Sequence, residues 1–480
     1  MINSENILLV GSVLLFFSIV FSKTGFKFGV PTLLVFLLVG MGFGTDGLGI
    51  EFSSAKDAQF IGMVALSIIL FSGGMDTKIE SIRPVLTPGI MLSTAGVLIT
   101  TMLTGGFIYF ISGLSKTNIE LGLMTSMLLA ATMSSTDSAS VFNILKSQRM
   151  NLKYNLRPLL ELESGSNDPM AIMLTLVLIQ VIAGGSELDA LPVVRNLIIQ
   201  FAVGGLLGFL MGKFATWILN KINLPNGSLY PILLLSLVFM TFIFTDLLSG
   251  NGYLAVYIAG IVVGNYKLAY RKEINTFMNG LTWLFQIIMF LTLGLLVNPH
   301  EMLGVALVAI LIAIFMVLVA RPISVFACLL PFKEFPIKAK AFVSWVGLRG
   351  AAPIIFATYP VIAGIEGANI IFNVVFFITL LSLLIQGMTI GIVAKKLHLD
   401  LPAEKEGNEF GIELPDEIDS QLEEITVTET MLGNGNRLMD MQFKKGQLVM
   451  IIKRDDKFIV PHGQLELMKN DKLLLIKQSI

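Results

Sequence analysis

Residues 157–182 read RPLLELESGSNDPMAIMLTLVLIQVI. The run is apolar enough to cross a bilayer, which takes about 20 mostly apolar residues, yet it keeps Glu161, Glu163 and Asp168. A charged side chain at the centre of a spanning helix costs about 2.5–3.5 kcal/mol on insertion scales, so such residues mark a functional site by default. If the helix starts near Arg157, Asp168 lies about 16 Å along it at about 1.5 Å per residue, close to the midplane. Ser164 and Asp168 are spaced i, i+4 and share a face, and Glu163 and Asn167 share the adjacent one. A hydroxyl, a carboxylate and an amide thus converge on one depth, and such oxygen ligands suit an alkali cation.

The rest of the chain has the same character up to about Lys396. The 480 residues are 54% hydrophobic and only 14% charged, with a mean hydropathy of +0.80. A soluble chain carries about 25% charged residues. Apolar runs separated by polar breaks give spans starting near residues 4, 29, 59, 85, 120, 157, 193, 229, 252, 274, 303, 339 and 370. The expected fold class is therefore an all-α polytopic membrane protein of about 13 transmembrane helices. The apolar run Ile7–Phe21 lacks a basic leader and a small-residue cleavage site and is read as the first span. The run Gly252–Tyr266, set off from its predecessor only by Ser249-Gly250-Asn251, is the shortest.

Basic residues in short loops orient the chain. Alternate loops on one side hold Lys23, Lys27, Lys78, Arg83, Lys146, Arg149, Lys153 and Arg157, then Lys221, Lys267, Arg271, Lys272, Lys333, Lys338, Lys340, Lys395 and Lys396. The opposite loops hold only Lys56, Lys116 and Arg195. That bias of seventeen to three makes the first side cytoplasmic. An odd number of spans then puts the N-terminus outside and the tail inside.

Two other spans carry breaks. Met133-Ser134-Ser135-Thr136-Asp137-Ser138 interrupts the fifth with small polar residues of poor helix propensity. Gly347-Leu348-Arg349-Gly350-Ala351-Ala352-Pro353 interrupts the twelfth. Discontinuous helices at corresponding positions of two halves point to a transporter site. These two lie seven helices apart, so spans 1–6 and 8–13 are expected to form an inverted repeat. Arg321 in the eleventh span and Asp246 in the eighth complete the set of intramembrane charges.

Thr136-Asp137, Glu163-Ser164 with Asn167-Asp168, and Gly347-Leu348-Arg349-Gly350 together resemble the NhaP-type cation/proton antiporters. The resemblance covers the whole membrane body. It implies a homodimer whose protomers are split into a dimerisation domain and a mobile core domain. It also implies that a monovalent cation and the proton compete at Asp168, with Asp137, Thr136, Ser164 and Asn167 completing the site. Glu163 would pair with an arginine, Arg321 as first choice and Arg349 as the alternative. Asn167-Asp168 in place of two aspartates looks like the electroneutral class. The chain departs from the pattern at Ser164-Gly165-Ser166 and at Pro169.

After Lys396 the composition changes. An acidic stretch, Leu401–Glu424, reads as a linker, and the domains are expected at 1–398, 399–423 (linker) and 424–480. Short β-patterned runs follow at Glu424–Thr430, Leu448–Arg454, Lys457–Val460 and Lys472–Lys477, separated by Gly433-Asn434-Gly435 and Arg454-Asp455-Asp456. Gly446-Gln447-Leu448-Val449, Ile451-Ile452-Lys453-Arg454, Pro461-His462-Gly463 and Asn470-Asp471-Lys472-Leu473 resemble the TrkA-C lobe, the C-terminal half of RCK regulatory domains on potassium channels and transporters. That implies dimerisation, a small α+β fold and a small regulatory ligand such as a nucleotide, and it tilts the cation toward K+ over Na+. The GxGxxG fingerprint of a nucleotide-binding lobe does not precede it.

Taken together, the sequence predicts K+ (or Na+) against H+ exchange by alternating access in the cell inner membrane, serving cation and pH homeostasis. A gated cation channel regulated by the tail is the competing reading. No selectivity-filter sequence favours it. No motif pairs a nucleophile with a base, so no enzyme activity and no cofactor is expected. A net charge of −1 argues against a nucleic-acid partner. The single Cys328 excludes a disulfide framework. Asp76, at the end of the third span, reads as a solvated interfacial carboxylate. His300, His398 and His462 read as surface residues.

Overall fold

The computed structural model describes residues 4–27, 31–113, 120–148, 150–184, 190–402, 420–432, 435–441, 443, 446–455 and 457–478. Lys116, Arg149, positions 403–419 of the acidic linker, and the turn residues Gly433, Asn434 and Asp456 lie outside the described residues. The chain divides into two compact units, Met1–Pro402 and Ala403–Ile480.

The first unit is a helical polytopic membrane body. Among the described residues, eight helices are long and apolar enough to cross a membrane. They are Ala55–Asp76, Ile79–Ser112, Leu156–Gly184, Val194–Lys221, Leu229–Leu247, Arg271–Leu296, Pro299–Leu329 and Ala368–Lys396. Shorter apolar helices occupy Leu8–Lys23, Thr32–Phe43, Leu123–Thr132, Gly252–Asn265 and Ala351–Ile362. The apolar run at the N-terminus is part of a single helix, Ser4–Lys27.

Packing sorts these helices into two groups. Thr32–Phe43, Ala55–Asp76, Ala190–Lys221, Leu229–Leu247, Gly252–Asn265 and Arg271–Leu296 pack mainly on one another. Ile79–Ser112, Leu156–Gly184, Pro299–Leu329, Ala368–Lys396 and the two broken crossings form the second group. The groups touch along Ala55–Asp76, Gly252–Asn265 and Arg271–Leu296. A cross-group link lies at one end, where Asp46, in the turn after Thr32–Phe43, accepts the His300 backbone N–H (2.9 Å) and pairs with its imidazole Nδ1 (2.9 Å). A carboxylate from one group thereby caps the Pro299–Phe315 helix of the other.

Small residues make the close approaches within the first group. A Cβ at Gly40 would lie 2.9 Å from the Cα of Gly294, so the Thr32–Phe43 and Arg271–Leu296 helices meet backbone to backbone. In the absence of a hydrophobic drive between helices in lipid, such packing supplies much of the association energy.

Two helices of the second group widen for one turn into π geometry, at Leu92–Gly96 and at Met316–Ala320. The helices that carry them pack together. Ser324 Oγ donates to the Gly96 carbonyl at 2.7 Å, and Phe107 and Phe315 stack at 4.0 Å. Arg321 follows the second π segment directly.

Residues 400–402, within the stretch expected as a linker, form a strand. β2 (Asp400–Pro402) pairs antiparallel with β1 (Met150–Leu152), a two-stranded clasp within the membrane unit. Lys153 Nζ donates to the His398 carbonyl at 2.8 Å beside it.

The second unit is a four-stranded antiparallel sheet in the order β3-β6-β4-β5, with β3 at Ser420–Thr426, β4 at Gln447–Arg454, β5 at Lys457–Ile459 and β6 at Lys472–Gln478. The strand expected at Glu424–Thr430 is displaced. It begins at Ser420 and gives way to a helical turn at Glu429–Leu432. Val427, Val449, Ile452, Leu467, Leu473 and Leu475 form its core. Asp471, 1% exposed, takes Arg454 in a two-pronged pair at 2.9 and 2.8 Å and caps the Met468 N–H. That carboxylate holds the Arg454 guanidinium above its ordinary value.

Replacing Gly294 by Leu should force the Thr32–Phe43 and Arg271–Leu296 helices apart. Overpacking of this kind costs about 1–3 kcal/mol, and a lowered thermal midpoint in detergent is the expected outcome.

Candidate functional site

The two breaks in the second group form at Met133–Asp137, between helices Leu123–Thr132 and Ser138–Ser147, and at Val346–Gly350, between Ile337–Trp345 and Ala351–Ile362. Each leaves backbone groups without intrahelical partners at a depth where water is scarce. They satisfy one another. The Asp137 N–H donates to the Leu348 carbonyl at 2.8 Å. Arg349 Nη1 donates to the Ser135 carbonyl. A Cβ at Gly350 would run into the Asp137 carboxylate, so glycine is what lets the segments come this close.

Neighbouring side chains complete the accounting. The Arg349 N–H donates to Ser382 Oγ at 2.9 Å, and Ser382 Oγ donates to Gln386 Oε1 at 2.5 Å. Gln386 Nε2 donates in turn to the Trp345 carbonyl at 2.7 Å. The Ala368–Lys396 helix thus holds both ends of the second break. Asp137 caps the helix that resumes after the first. Its carboxylate accepts from the Ser140 N–H at 3.1 Å and from Ser140 Oγ, at the end of a helix whose dipole favours negative charge.

The Leu156–Gly184 helix closes over this crossing. Ser164 Oγ donates to the Thr136 carbonyl at 2.7 Å, and Asn167 Nδ2 donates to Thr136 Oγ1 at 2.6 Å. Asp168 Oδ1 accepts from Ser135 Oγ. The structure therefore gathers Thr136, Asp137, Ser164, Asn167 and Asp168, the five expected residues, around one point. It adds Ser135 and Ser140, which sequence reasoning treated only as part of a break or not at all. The signal for Ser140 was legible: Asp137 followed three residues later by Ser140 is an N-cap spacing. Asn167 is fully buried, and its Oδ1 has no hydrogen-bond partner among the described residues.

Behind the site, Arg321 Nη2 lies 2.5 Å from Glu163 Oε1, with exposures of 5% and 1%. Of the two arginines considered for Glu163, Arg321 makes the pair, whereas Arg349 is committed to the first break. Asp246 is exposed at the end of its helix and takes no part.

Exposure along the helix that carries Asp168 is uneven. Along its helix, Arg157, Glu161, Gly165 and Asp168 keep exposure and fall on one stripe, whereas the seven residues Pro169–Thr175 are all buried. At the Arg157 end, Arg157 Nε pairs with Glu161 Oε1 at 2.9 Å.

Unwound helices crossing beside a half-buried carboxylate, inside a many-helix membrane body, are the architecture of a secondary transporter. The chain belongs to the family of transmembrane sodium/hydrogen exchangers, whose model matches residues 11–396. It is 37% identical over 474 residues to the K(+)/H(+) antiporter NhaP2 of Shewanella oneidensis, covering 98% of this chain and 81% of that one. It is 39% identical over 457 residues to the K(+)/H(+) antiporter NhaP of Alkalimonas amylolytica, covering 95% and 75% respectively. Among solved structures, the sodium proton antiporter MjNhaP1 of Methanocaldococcus jannaschii superposes with a TM-score of 0.70 at 23% identity, over 82% of this chain and 99% of that one. That last likeness is one of fold.

Breaking a buried ion pair by removing one partner costs about 3–5 kcal/mol, because the other charge stays buried. Glu163→Gln and Arg321→Gln should each lower the thermal midpoint sharply, and the double variant should recover much of the loss. A double variant no better than either single one would mean that the two charges act independently.

Proposed function

We propose that this chain exchanges K+ in preference to Na+ for H+, one for one, at Asp168. The observation that carries the proposal is the meeting of two unwound segments with the Asp168 carboxylate. In that place oxygens from Thr136, Asp137, Ser164, Asn167 and Ser135 can strip and replace a cation's water. The same carboxylate can hold a proton instead. Charged and without cargo, it is costly to carry through a low-dielectric barrier. Neutralised by either cargo, it can pass. That asymmetry couples the two ions, and one unit charge each way leaves the exchange insensitive to voltage.

Thirteen crossings in two inverted halves fit this reading. The breaks lie in the fifth and twelfth apolar segments, and the π turns lie in the fourth and eleventh, the same offset of seven. The group of helices around the breaks would be the moving core. The other group would be the scaffold and the surface joining two copies into a homodimer. The lysine and arginine bias supports an inner-membrane protein with its N-terminus outside and its tail in the cytoplasm. Asp168 would then face the cytoplasm in this structure. The names of the relatives favour K+, and so does the likeness of residues 424–480 to the TrkA-C lobe, which we assign as a regulatory domain beyond an acidic linker. No cofactor and no catalytic group is needed.

The test is reconstitution with a pH-sensitive dye, titrating K+ and Na+ separately against an imposed proton gradient. Half-maximal response at far lower K+ than Na+ is expected, and Asp168→Asn should abolish the response while leaving the protein folded. Cation-driven proton flux retained in the Asp168→Asn protein would overturn the assignment.

A further inference from the structure

Just past Asp168, its helix is held by a side chain that the exchange chemistry does not use. Asn251 precedes the Gly252–Asn265 helix and is 5% exposed. All four of its polar groups are engaged. Its N–H donates to the Gln200 carbonyl at 3.1 Å, its carbonyl accepts from Ala255 at 3.1 Å, and its Oδ1 accepts from the Leu254 N–H at 2.9 Å. These three bonds stay within the scaffold group. The fourth crosses over: Asn251 Nδ2 donates to the Pro169 carbonyl at 3.0 Å.

Pro169 follows Asp168 directly and begins the run of seven buried residues. Four residues back, toward Arg157, Gly165 lies against the Tyr257 ring of the same Gly252–Asn265 helix. The two contacts bracket Asp168. They differ in kind, one being packing that can slide and the other a directed bond that is either made or broken. Pro169 also removes a backbone donor from its helix, so the segment carrying Asp168 is softened where Asn251 grips it.

We propose that Asn251 is a positioning residue for the exchange cycle, a latch whose amide holds the Asp168 helix against the scaffold while the site faces the Arg157 side. The bond has to break when the core moves to open the other side. Its removal therefore shifts the population toward the outward-facing state. The proposal rests on the alternating-access reading above.

The experiment separates the latch from the cap. Asn251→Ser and Asn251→Asp both keep an oxygen that can accept from Leu254 and both lose the amide donor. Each is made in a Cys328→Ser background carrying Ile172→Cys, one turn beyond Asp168 and 1% exposed. Labelling from the outer face by a membrane-impermeant thiol reagent is measured together with the cation concentration for half-maximal exchange. Both variants are expected to label several-fold faster than the Asn251 parent, and to need more cation on the inner side. Unchanged labelling in a variant of unchanged thermal midpoint would overturn the latch and leave Asn251 a helix cap. Loss of folding in both would overturn it too, by making the contact a structural one. If the parent itself shows no cation-driven proton exchange, the exchanger reading fails, while the labelling ratio still reports on the latch.

Discussion

Backbone N–H and C=O groups at membrane depth have no water to turn to, so each must find a partner inside the protein. Two helices of this chain stop and restart in mid-membrane, and each stop strands several such groups. Neither break is tenable alone. Crossing them lets Asp137 donate to Leu348 and Arg349 donate to Ser135, and Ser382 and Gln386 take the Arg349 N–H and the Trp345 carbonyl. Much else in the membrane body follows from that requirement. Gly350 is small because the Asp137 carboxylate lies against it, and Asp137 is an aspartate partly because a helix must be capped there.

The same requirement explains why the charged groups around the crossing are divided by task. Arg349 is spent on a carbonyl of the first break, so its charge belongs to the crossing and is not free to balance Glu163. Glu163 instead has Arg321, delivered by the helix that widens into a π turn just before it. A π turn changes which residue of the next turn faces inward. Ser324, three residues on, reaches the Gly96 carbonyl of the matching π segment. Asp168 is left, among the described residues, with a hydroxyl from Ser135 upon it and no cationic partner, which suits the proposed trade of a proton for a cation.

Much of this was legible in the sequence because charge inside an apolar run is costly and therefore conspicuous. Asp137, Asp168, Glu163 and the two arginines stood out for that reason, and the two breaks were visible as runs of small polar residues and glycines. The contact from Ser135 was not legible. Which hydroxyl of Ser134, Ser135 and Ser138 faces Asp168 depends on how the unwound chain rotates, and no periodicity constrains that. The choice between Arg321 and Arg349 was open for a similar reason, since depth alone does not tell which arginine a break will claim. In the tail, Val427-Thr428 continued a β-branched pattern, while the acidic residues before it disguised the real start of β3 at Ser420. Asn251 was read only as a separator between two spans, because a cap and a cross-helix bond from one side chain leave no mark in composition.

The fold places its strongest bonds where relative motion is not required. Within the core, the crossing is fastened by charge-assisted and backbone hydrogen bonds. Within the scaffold, helices meet through glycines such as Gly40 and Gly294. Between the two groups the described polar links include Asn251 to Pro169 beside the site, the Ile79 N–H to Asn265 Oδ1, and Asp46 to His300 at one end. A boundary made mostly of packing, with isolated directed bonds, costs little to shear and still has defined resting positions. Each such bond sets a preference between states rather than the strength of the whole. Asn251 grips Pro169, one residue past Asp168, so that preference sits beside the carboxylate proposed to trade a proton for a cation.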